Sequence, residues 1–101
     1  MLLFLKRSRN ICDATCELKD GMFIVKKGSL ISKNDSYDKM TKEARTYRDD
    51  EKIVKDYITQ KDLTFKSSTS AAQFVTGQSV NGSKAWRDEK GNKLADLIKM
   101  K

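Results

Sequence analysis

The side chains best suited to contact a ligand lie between residues 67 and 87. Ser67 and Ser68 stand ahead of an alanine-rich apolar segment, an order that predicts the start of a helix. The free N–H groups and the positive dipole end of a helix start favour an anion. A short loop later, Lys84 and Arg87 flank Trp86, a combination suited to holding a phosphate and stacking a base. The candidate anion- and nucleic-acid-binding residues are Ser67, Ser68, Ser70, Gln73, Asn81, Lys84, Trp86 and Arg87.

The same residues also have a purely structural interpretation, which the sequence leaves open. Ser67 or Ser68 would then be only the helix cap, a contribution of about 1 kcal/mol. Trp86 would be the largest residue of the core, and Asn81 would be present because it tolerates a left-handed backbone.

Catalytic chemistry has little support in this sequence. The chain has no His, so Ser–His and Cys–His nucleophile pairs are excluded within it, and no phosphate-binding or dinucleotide-binding glycine loop is present. Cys12 and Cys16 share a predicted strand face with Ala14 and Leu18, which favours buried thiols over metal ligands. The acidic run 49–51 favours a helix start over a cation site. We expect no catalysis, cofactor or metal.

Composition favours a basic protein with an anionic partner. The 101 residues carry a formal net charge of +7. Lys and Arg outnumber Asp and Glu by seven to four in residues 1–35 and six to three in residues 67–101, but only by eight to seven in residues 36–66. Such an excess favours nucleic acid as partner, although it also serves simply to keep a protein dispersed.

Nothing in the sequence predicts a membrane segment. No apolar run is long enough to span a bilayer. The apolar segment 1–5 is too short for the core of a signal peptide, and its basic residues follow it. We therefore expect a first strand there and a cytoplasmic protein without a membrane partner.

Periodicity predicts antiparallel strands in the N-terminal part. Residues 11–18 alternate between apolar and polar side chains, as a half-buried strand does. Asp20–Gly21 is a hairpin signal, and residues 22–25 form an apolar run typical of the next strand. Leu30–Ile31 is expected to resume that strand after a bulge.

The middle of the chain shows helical spacing. Asp35 or Ser36 is a candidate cap, and the acidic run 49–51 is a candidate cap for a second helix. The pattern predicts either one bent helix or two short ones. Its apolar positions are Tyr37, Met40, Ala44, Tyr47, Val54 and Ile58.

The C-terminal part predicts a helix–loop–strand unit. Residues 63–65 form a short strand, and the helix that starts near Ser67 ends at Gly77. Asn81–Gly82 marks a turn, and residues 85–87 are a candidate strand. The sequence therefore predicts one small α+β domain over residues 1–101, with N-terminal antiparallel strands and a central helical region.

A longer pattern in this part resembles a known family. Its residues are Phe65, Ser67-Ser68-Thr69-Ser70-Ala71-Ala72, Gly77-Gln78-Ser79-Val80-Asn81-Gly82, Trp86-Arg87, Gly91 and Leu94, with Asp20-Gly21-Met22-Phe23-Ile24-Val25 and Lys27-Gly28-Ser29 upstream. The chain resembles a prokaryotic domain of unknown function, of the DUF4357 type, from about residue 12 to residue 98. That domain is often appended to GIY-YIG nucleases or found near restriction–modification proteins. The resemblance implies an accessory role around nucleic acid.

The sequence departs from the family pattern at two positions. Thr69 stands where the family has Pro, and Ser83 stands where it has an aromatic residue after Asn-Gly. The chain contains no GIY-YIG motif, so the resemblance implies no nuclease activity here. We expect a non-catalytic domain that binds nucleic acid; the alternative is a protein-interaction or regulatory module that partners a nuclease or methyltransferase.

Overall fold

The computed structural model of the chain describes residues 1–33 and 40–99. Its main element is a four-stranded antiparallel sheet in the order β1-β2-β3-β6. These strands are β1 (Leu2–Arg7), β2 (Cys12–Lys19), β3 (Met22–Val25) and β6 (Leu63–Phe65). The remaining elements are a small hairpin of β4 (Val54–Lys55) and β5 (Ile58–Thr59), and four helices, α1 (Lys42–Arg48), α2 (Ser68–Thr76), α3 (Gly82–Ala85) and α4 (Leu94–Lys99).

Helices cover one face of the sheet and enclose the core. The alternation of β1 and β2 sends Leu3, Leu5, Cys12, Ala14 and Cys16 into this face, where all five are buried. The helix that covers them is α2, which is buried from Ser70 to Thr76. Burying this apolar surface is the main force that holds sheet and helices together.

The predicted α+β class and N-terminal meander are confirmed. The turn Asp20–Gly21 joins β2 to β3 with positive φ at both residues, 52° and 77°. Leu30 resumes the pairing after a bulge, because its N–H and C=O both bond Asp13, at 3.0 and 2.9 Å. The predicted helix from Ser67 to Gly77 is also confirmed, and Gly77 ends it in the left-handed conformation.

The predicted central helix is much shorter than its apolar spacing suggests. Thr41 caps the start of α1, and Asp49 caps its end instead of starting a second helix. Val54 and Ile58 belong to the β4–β5 hairpin, where a two-residue turn with positive φ at both positions reverses the chain. Their three- and four-residue spacing therefore arises from hairpin geometry. The predicted cap at Asp35 or Ser36, and Tyr37, lie outside the described residues.

A second difference concerns the predicted strand at residues 85–87. Ala85 is the last residue of α3, and only Arg87 pairs in strand fashion, through isolated bridges to Phe4 and Lys93. The helix–loop–strand unit therefore contains an additional turn of helix in its loop. Asn81 begins this helix by capping it, which leaves only one residue for strand pairing.

The C-terminal end of α2 is held by side chains from distant segments. The last turn of α2 has no basic residue of its own to complement its unpaired carbonyls. Arg48 donates from Nε to Phe74 O and from Nη2 to Ser32 O, both at 2.8 Å. Asn10 donates from Nδ2 to Thr76 O at 2.9 Å. One guanidinium thus joins α1, α2 and the segment after β3.

The β4–β5 hairpin is attached to the sheet through the segment that follows β3. Gly28 N–H bonds Thr59 O, and Thr59 N–H bonds Ser29 O, both at 2.9 Å. The Ser29 hydroxyl donates to Lys26 O at 2.7 Å, which holds the bulge closed. Ile31 N–H bonds Tyr57 O at 2.7 Å. Both hairpin and bulge therefore sit in a fixed position.

Among the described residues, no helix has the length and apolar character to cross a membrane.

Candidate nucleic-acid interface

The start of α2 is capped as the sequence predicts. Ser67 is the cap, and its Oγ accepts a hydrogen bond from Ser70 N–H at 3.1 Å. Ser67 is exposed and Ser68 is half-buried, whereas Ser70 is buried. Of the three predicted serines, only Ser67 lies fully at the surface, and its hydroxyl already occupies one of the free N–H groups of the helix.

Helix α3 packs directly on the first turn of α2. A Cβ on Gly82 would lie 2.1 Å from the carbonyl carbon of Ser68 and 2.3 Å from Thr69 N, so only glycine fits. Gly82 N–H donates to Thr69 Oγ1 at 3.2 Å. Asn81 Oδ1 accepts from Ser83 N–H at 3.0 Å and caps α3. Asn81 has φ −87°, so the proposed left-handed role for it is wrong and capping explains its presence instead.

Trp86 and Gln73 are internal residues. The indole of Trp86 is completely buried, and its Nε1–H donates to Ser68 O at 3.1 Å. Gln73 is 7% exposed, and its Oε1 accepts from Thr41 N–H at 2.8 Å, which joins α2 to the start of α1. The structural interpretation of Trp86 is therefore confirmed, and its ring is not at the surface to stack on a base.

Arg87 follows the buried Trp86 in the sequence and lies at the edge of the sheet. Its N–H and C=O pair with Phe4 at 3.0 and 2.6 Å, and it also forms a bridge with Lys93. Directly paired residues of antiparallel strands carry their side chains on the same face. Arg87 and Lys93 therefore share a face with Phe4, opposite the helices. The guanidinium donates to Gly91 O at 3.2 Å, and both cations are exposed.

The carboxylate of Asp88, next to Arg87 in the sequence, forms hydrogen bonds within its own turn. Asp88 accepts the N–H groups of Lys90 and Asn92, at 3.0 and 2.8 Å. These bonds, mainly the one from the Asn92 backbone, lower the pKa of Asp88 below its ordinary value. Neither Arg87 nor Lys84, which is exposed on α3, forms an ion pair with a carboxylate in residues 1–33 or 40–99. Their charges are available to a partner.

The face of the sheet opposite the helices, here the open face, carries the cations together with one aromatic ring. Its side chains are Leu2, Phe4, Lys6, Asp13, Thr15, Glu17, Ile24, Thr64, Arg87 and Lys93. Phe4 is half-buried, and Lys6 follows it on the same face. Lys26 lies 3.7 Å from Glu17 and closer to Asp62, at 3.1 Å. Around Phe4 the open face therefore carries three cations, Lys6, Arg87 and Lys93, and two carboxylates, Asp13 and Glu17.

The structure brings together only part of the predicted site. Ser67, Asn81, Lys84 and Arg87 are at the surface, whereas Ser70, Gln73 and Trp86 are internal. Phe4 was not among the predicted site residues. The alternation in residues 2–7 could have indicated it, because Leu3 and Leu5 belong to the core and Phe4 faces the other way.

The cysteines are both buried on one face of β2, as predicted. Burial raises the pKa of the Cys16 thiol to about 12, so this group is protonated at neutral pH. In the part of the chain that the structure describes, no group of three or more Cys, Asp or Glu side chains is arranged to hold a metal ion.

These features define a small α+β domain whose helices cover one side of a four-stranded sheet and whose other side is open and carries exposed cations. The chain belongs to the family described as "Domain of unknown function (DUF4357)", whose model matches residues 3–98. The family predicted from the sequence is thereby confirmed. No curated protein and no solved structure matches the chain.

Proposed function

We propose that this domain binds nucleic acid on its open face, as a non-catalytic accessory to nuclease or restriction–modification proteins. The observation that carries the proposal is the pairing of Arg87 with Phe4, which aligns a guanidinium with a half-buried aromatic ring on an exposed sheet. Phosphates are bound by exposed cations and bases stack on aromatic rings, so the two groups together suit a nucleic-acid strand.

The packing explains how these cations are positioned. Trp86 lies between Lys84 and Arg87 in the sequence. It is buried and donates a hydrogen bond to the backbone of α2, so it anchors the segment that carries both cations. A fixed cation loses less freedom on binding than one on a mobile loop. In this proposal Trp86 positions the cations and Phe4 provides the stacking surface.

The accessory role rests on the family resemblance. Related domains occur beside GIY-YIG nucleases and restriction–modification proteins, and this chain has no His for the usual nucleophile pairs. We propose that a nuclease or methyltransferase partner performs the chemistry while this domain contributes affinity for the nucleic acid.

A binding titration across a series of salt concentrations tests the proposal. Duplex DNA, single-stranded DNA and RNA are titrated against the wild-type protein, Arg87→Ala and Lys93→Ala, which each remove one exposed cation of the open face. Each substitution should weaken binding of all sequences and reduce the salt slope by about one unit, because each removes one phosphate contact. The matched control is Lys42→Ala, since Lys42 is exposed on α1 beside Glu43. Equal losses in all three variants would show a net-charge effect alone.

A protein-interaction module is the second candidate function. The open face also carries Leu2 on β1, which is 51% exposed, and the half-buried Ile24 on β3, in one row with Glu17 between them. Exposed apolar side chains on one surface are typical of protein-binding sites. If the domain binds no nucleic acid at low salt but binds a nuclease or methyltransferase partner independently of salt, this second function replaces the first.

A further inference from the structure

A groove lies between two hairpin turns at one end of the sheet, and none of the predicted site residues lines it. The turn between β1 and β2 contributes Ser8 and Ile11, the turn between β4 and β5 contributes Tyr57, and Leu30 and Ile31 line the groove between them. Its volume is about 440 Å³, within the range of about 300–1,000 Å³ that is typical of ligand pockets. We call it the tip groove.

Backbone hydrogen bonds hold the walls of the tip groove in place. Leu30 pairs with Asp13 through two bonds, and Ile31 N–H bonds Tyr57 O at 2.7 Å. Asn10, in the first turn, accepts from the Ser32 hydroxyl and donates to the end of α2. Because both turns are tied to the same segment, the groove has its shape before any ligand arrives, which lowers the entropy cost of binding.

Two apolar side chains of the tip groove are exposed. Ile11 is 65% exposed and Tyr57 is 41% exposed. Tyr57 also has φ 63°, a left-handed conformation that is uncommon for a bulky residue. Backbone strain of this kind costs free energy and often persists at ligand sites. The side chain of Lys33 contacts the Tyr57 ring.

The charges around the tip groove are complementary to an anionic strand. Lys33 lies 5.7 Å from the centre of the Tyr57 ring and lines the groove. Arg9 is exposed in the first turn and Lys55 is exposed next to the second, whereas the nearby carboxylates are Asp56 on the rim and Asp13, which pairs with Leu30. An apolar slot with an exposed aromatic ring and cations on both sides matches a base with its flanking phosphates.

The tip groove continues from the open face. Lys6 pairs with Asp13, and Asp13 pairs with Leu30, so these three side chains form one row across the sheet. Lys6 follows Phe4 on the same face of β1. A nucleic-acid strand that contacts Arg87 and Phe4 therefore has to extend past only one further row of side chains, that of Lys6, to reach the groove.

We propose that the tip groove binds one unpaired base of a single-stranded nucleic acid, stacked on Tyr57 with its phosphates near Lys33 and Arg9. The inference rests on the proposed function and identifies the single strand as the preferred form. Lys33 has a flexible side chain, so its ammonium can move from the ring to a phosphate when the base stacks. An acidic peptide with an apolar anchor is the competing occupant. It is less favoured because the groove adjoins the open face, where the pairing of Arg87 with Phe4 already suits a nucleic-acid strand.

The test measures the affinity of an oligothymidylate for the wild-type protein, Tyr57→Asn and Tyr57→Phe. Asparagine tolerates the left-handed backbone, so Tyr57→Asn keeps the turn and removes the ring. The expected result is a loss of about 5- to 150-fold for Tyr57→Asn and wild-type affinity for Tyr57→Phe. Ile98→Asn, which removes a 52% exposed apolar side chain from α4, is the matched control and should bind as the wild type does. Circular dichroism confirms that each variant is folded.

The outcomes separate the two proposals. If the wild type binds oligothymidylate and Tyr57→Asn binds it equally well, the tip groove is not the base site, but the proposed function stands. If a peptide of alternating Glu and Phe binds the wild type but not Tyr57→Asn, while oligothymidylate binds both proteins equally well, the groove is a peptide site and the inference is overturned. If the wild type binds neither duplex nor single strand, the proposed function itself fails. Backbone amide shifts at Ile11, Leu30 and Tyr57 on adding oligothymidylate, together with shifts around Phe4 and Arg87, would support the inference directly.

Discussion

The junction between α2 and α3 and the turn at Asp56–Tyr57 differ in how they use their polar and aromatic groups. At the junction, Ser67, Asn81 and Trp86 all form hydrogen bonds inside the protein. At the turn, Tyr57 is exposed beside a groove in a strained backbone. The residue types that suit binding are therefore clustered at the junction, where they form internal hydrogen bonds. The exposed ring of Tyr57, by contrast, lies at a position that no sequence signal indicates.

The largest expected effect is at the junction, in Gly82→Ala. The new Cβ would lie 2.1 Å from the backbone of Ser68, and two backbones cannot separate without moving α3 off α2. We expect a loss of about 3 kcal/mol or more in the free energy of unfolding, measured by urea denaturation. Gly91→Ala is the control, because it places a Cβ in open space at φ 88° and should lose only about 1–2 kcal/mol. Equal losses in the two variants would contradict the close packing.

The next largest effect is at the other end of α2, in Arg48→Met. This substitution keeps much of the aliphatic side chain and removes the bonds to Phe74 O and Ser32 O. Because bonds from a charged group are strong and the carbonyls are left unpaired, we expect a loss of about 2–3 kcal/mol in unfolding free energy. Lys42→Met, at an exposed position of the same helix, should change it by about 0.5 kcal/mol or less. A similar small change in Arg48→Met would show that the guanidinium does not stabilise α2.

The same contrast shows what the sequence could predict. The alternation in residues 11–18 and the Asp-Gly pair are local signals, and both lead to the observed meander. The α2 cap and its terminal Gly77 are local as well. The bond from Thr41 N–H to Gln73 and the bonds from Arg48 to α2 join residues that are distant in the sequence. No spacing rule indicates such contacts, so the sequence pattern does not distinguish polar residues that stabilise the core from site residues.

The second hairpin shows the limit of turn signals. Asp20–Gly21 and Asp56–Tyr57 are both two-residue turns with positive φ at each position. Only the first has the glycine that this geometry normally requires, so the second was assigned to a helix from its apolar spacing. Tertiary bonds, such as Ile31 N–H to Tyr57 O, hold the second turn despite its sequence.

The smallest expected effects on stability come from two substitutions at the second position of these turns, Gly21→Tyr and Tyr57→Gly. Gly21→Tyr places a bulky side chain in the left-handed conformation and should lose about 1–2 kcal/mol in unfolding free energy. Tyr57→Gly removes the corresponding strain but also removes the contact with Lys33 and adds chain entropy to the unfolded state. We expect its unfolding free energy to remain within about 1 kcal/mol of wild type, as measured by urea denaturation. If Tyr57→Gly loses as much as Gly21→Tyr, the ring is needed for the fold, and its exposure and strained backbone no longer argue for a ligand site.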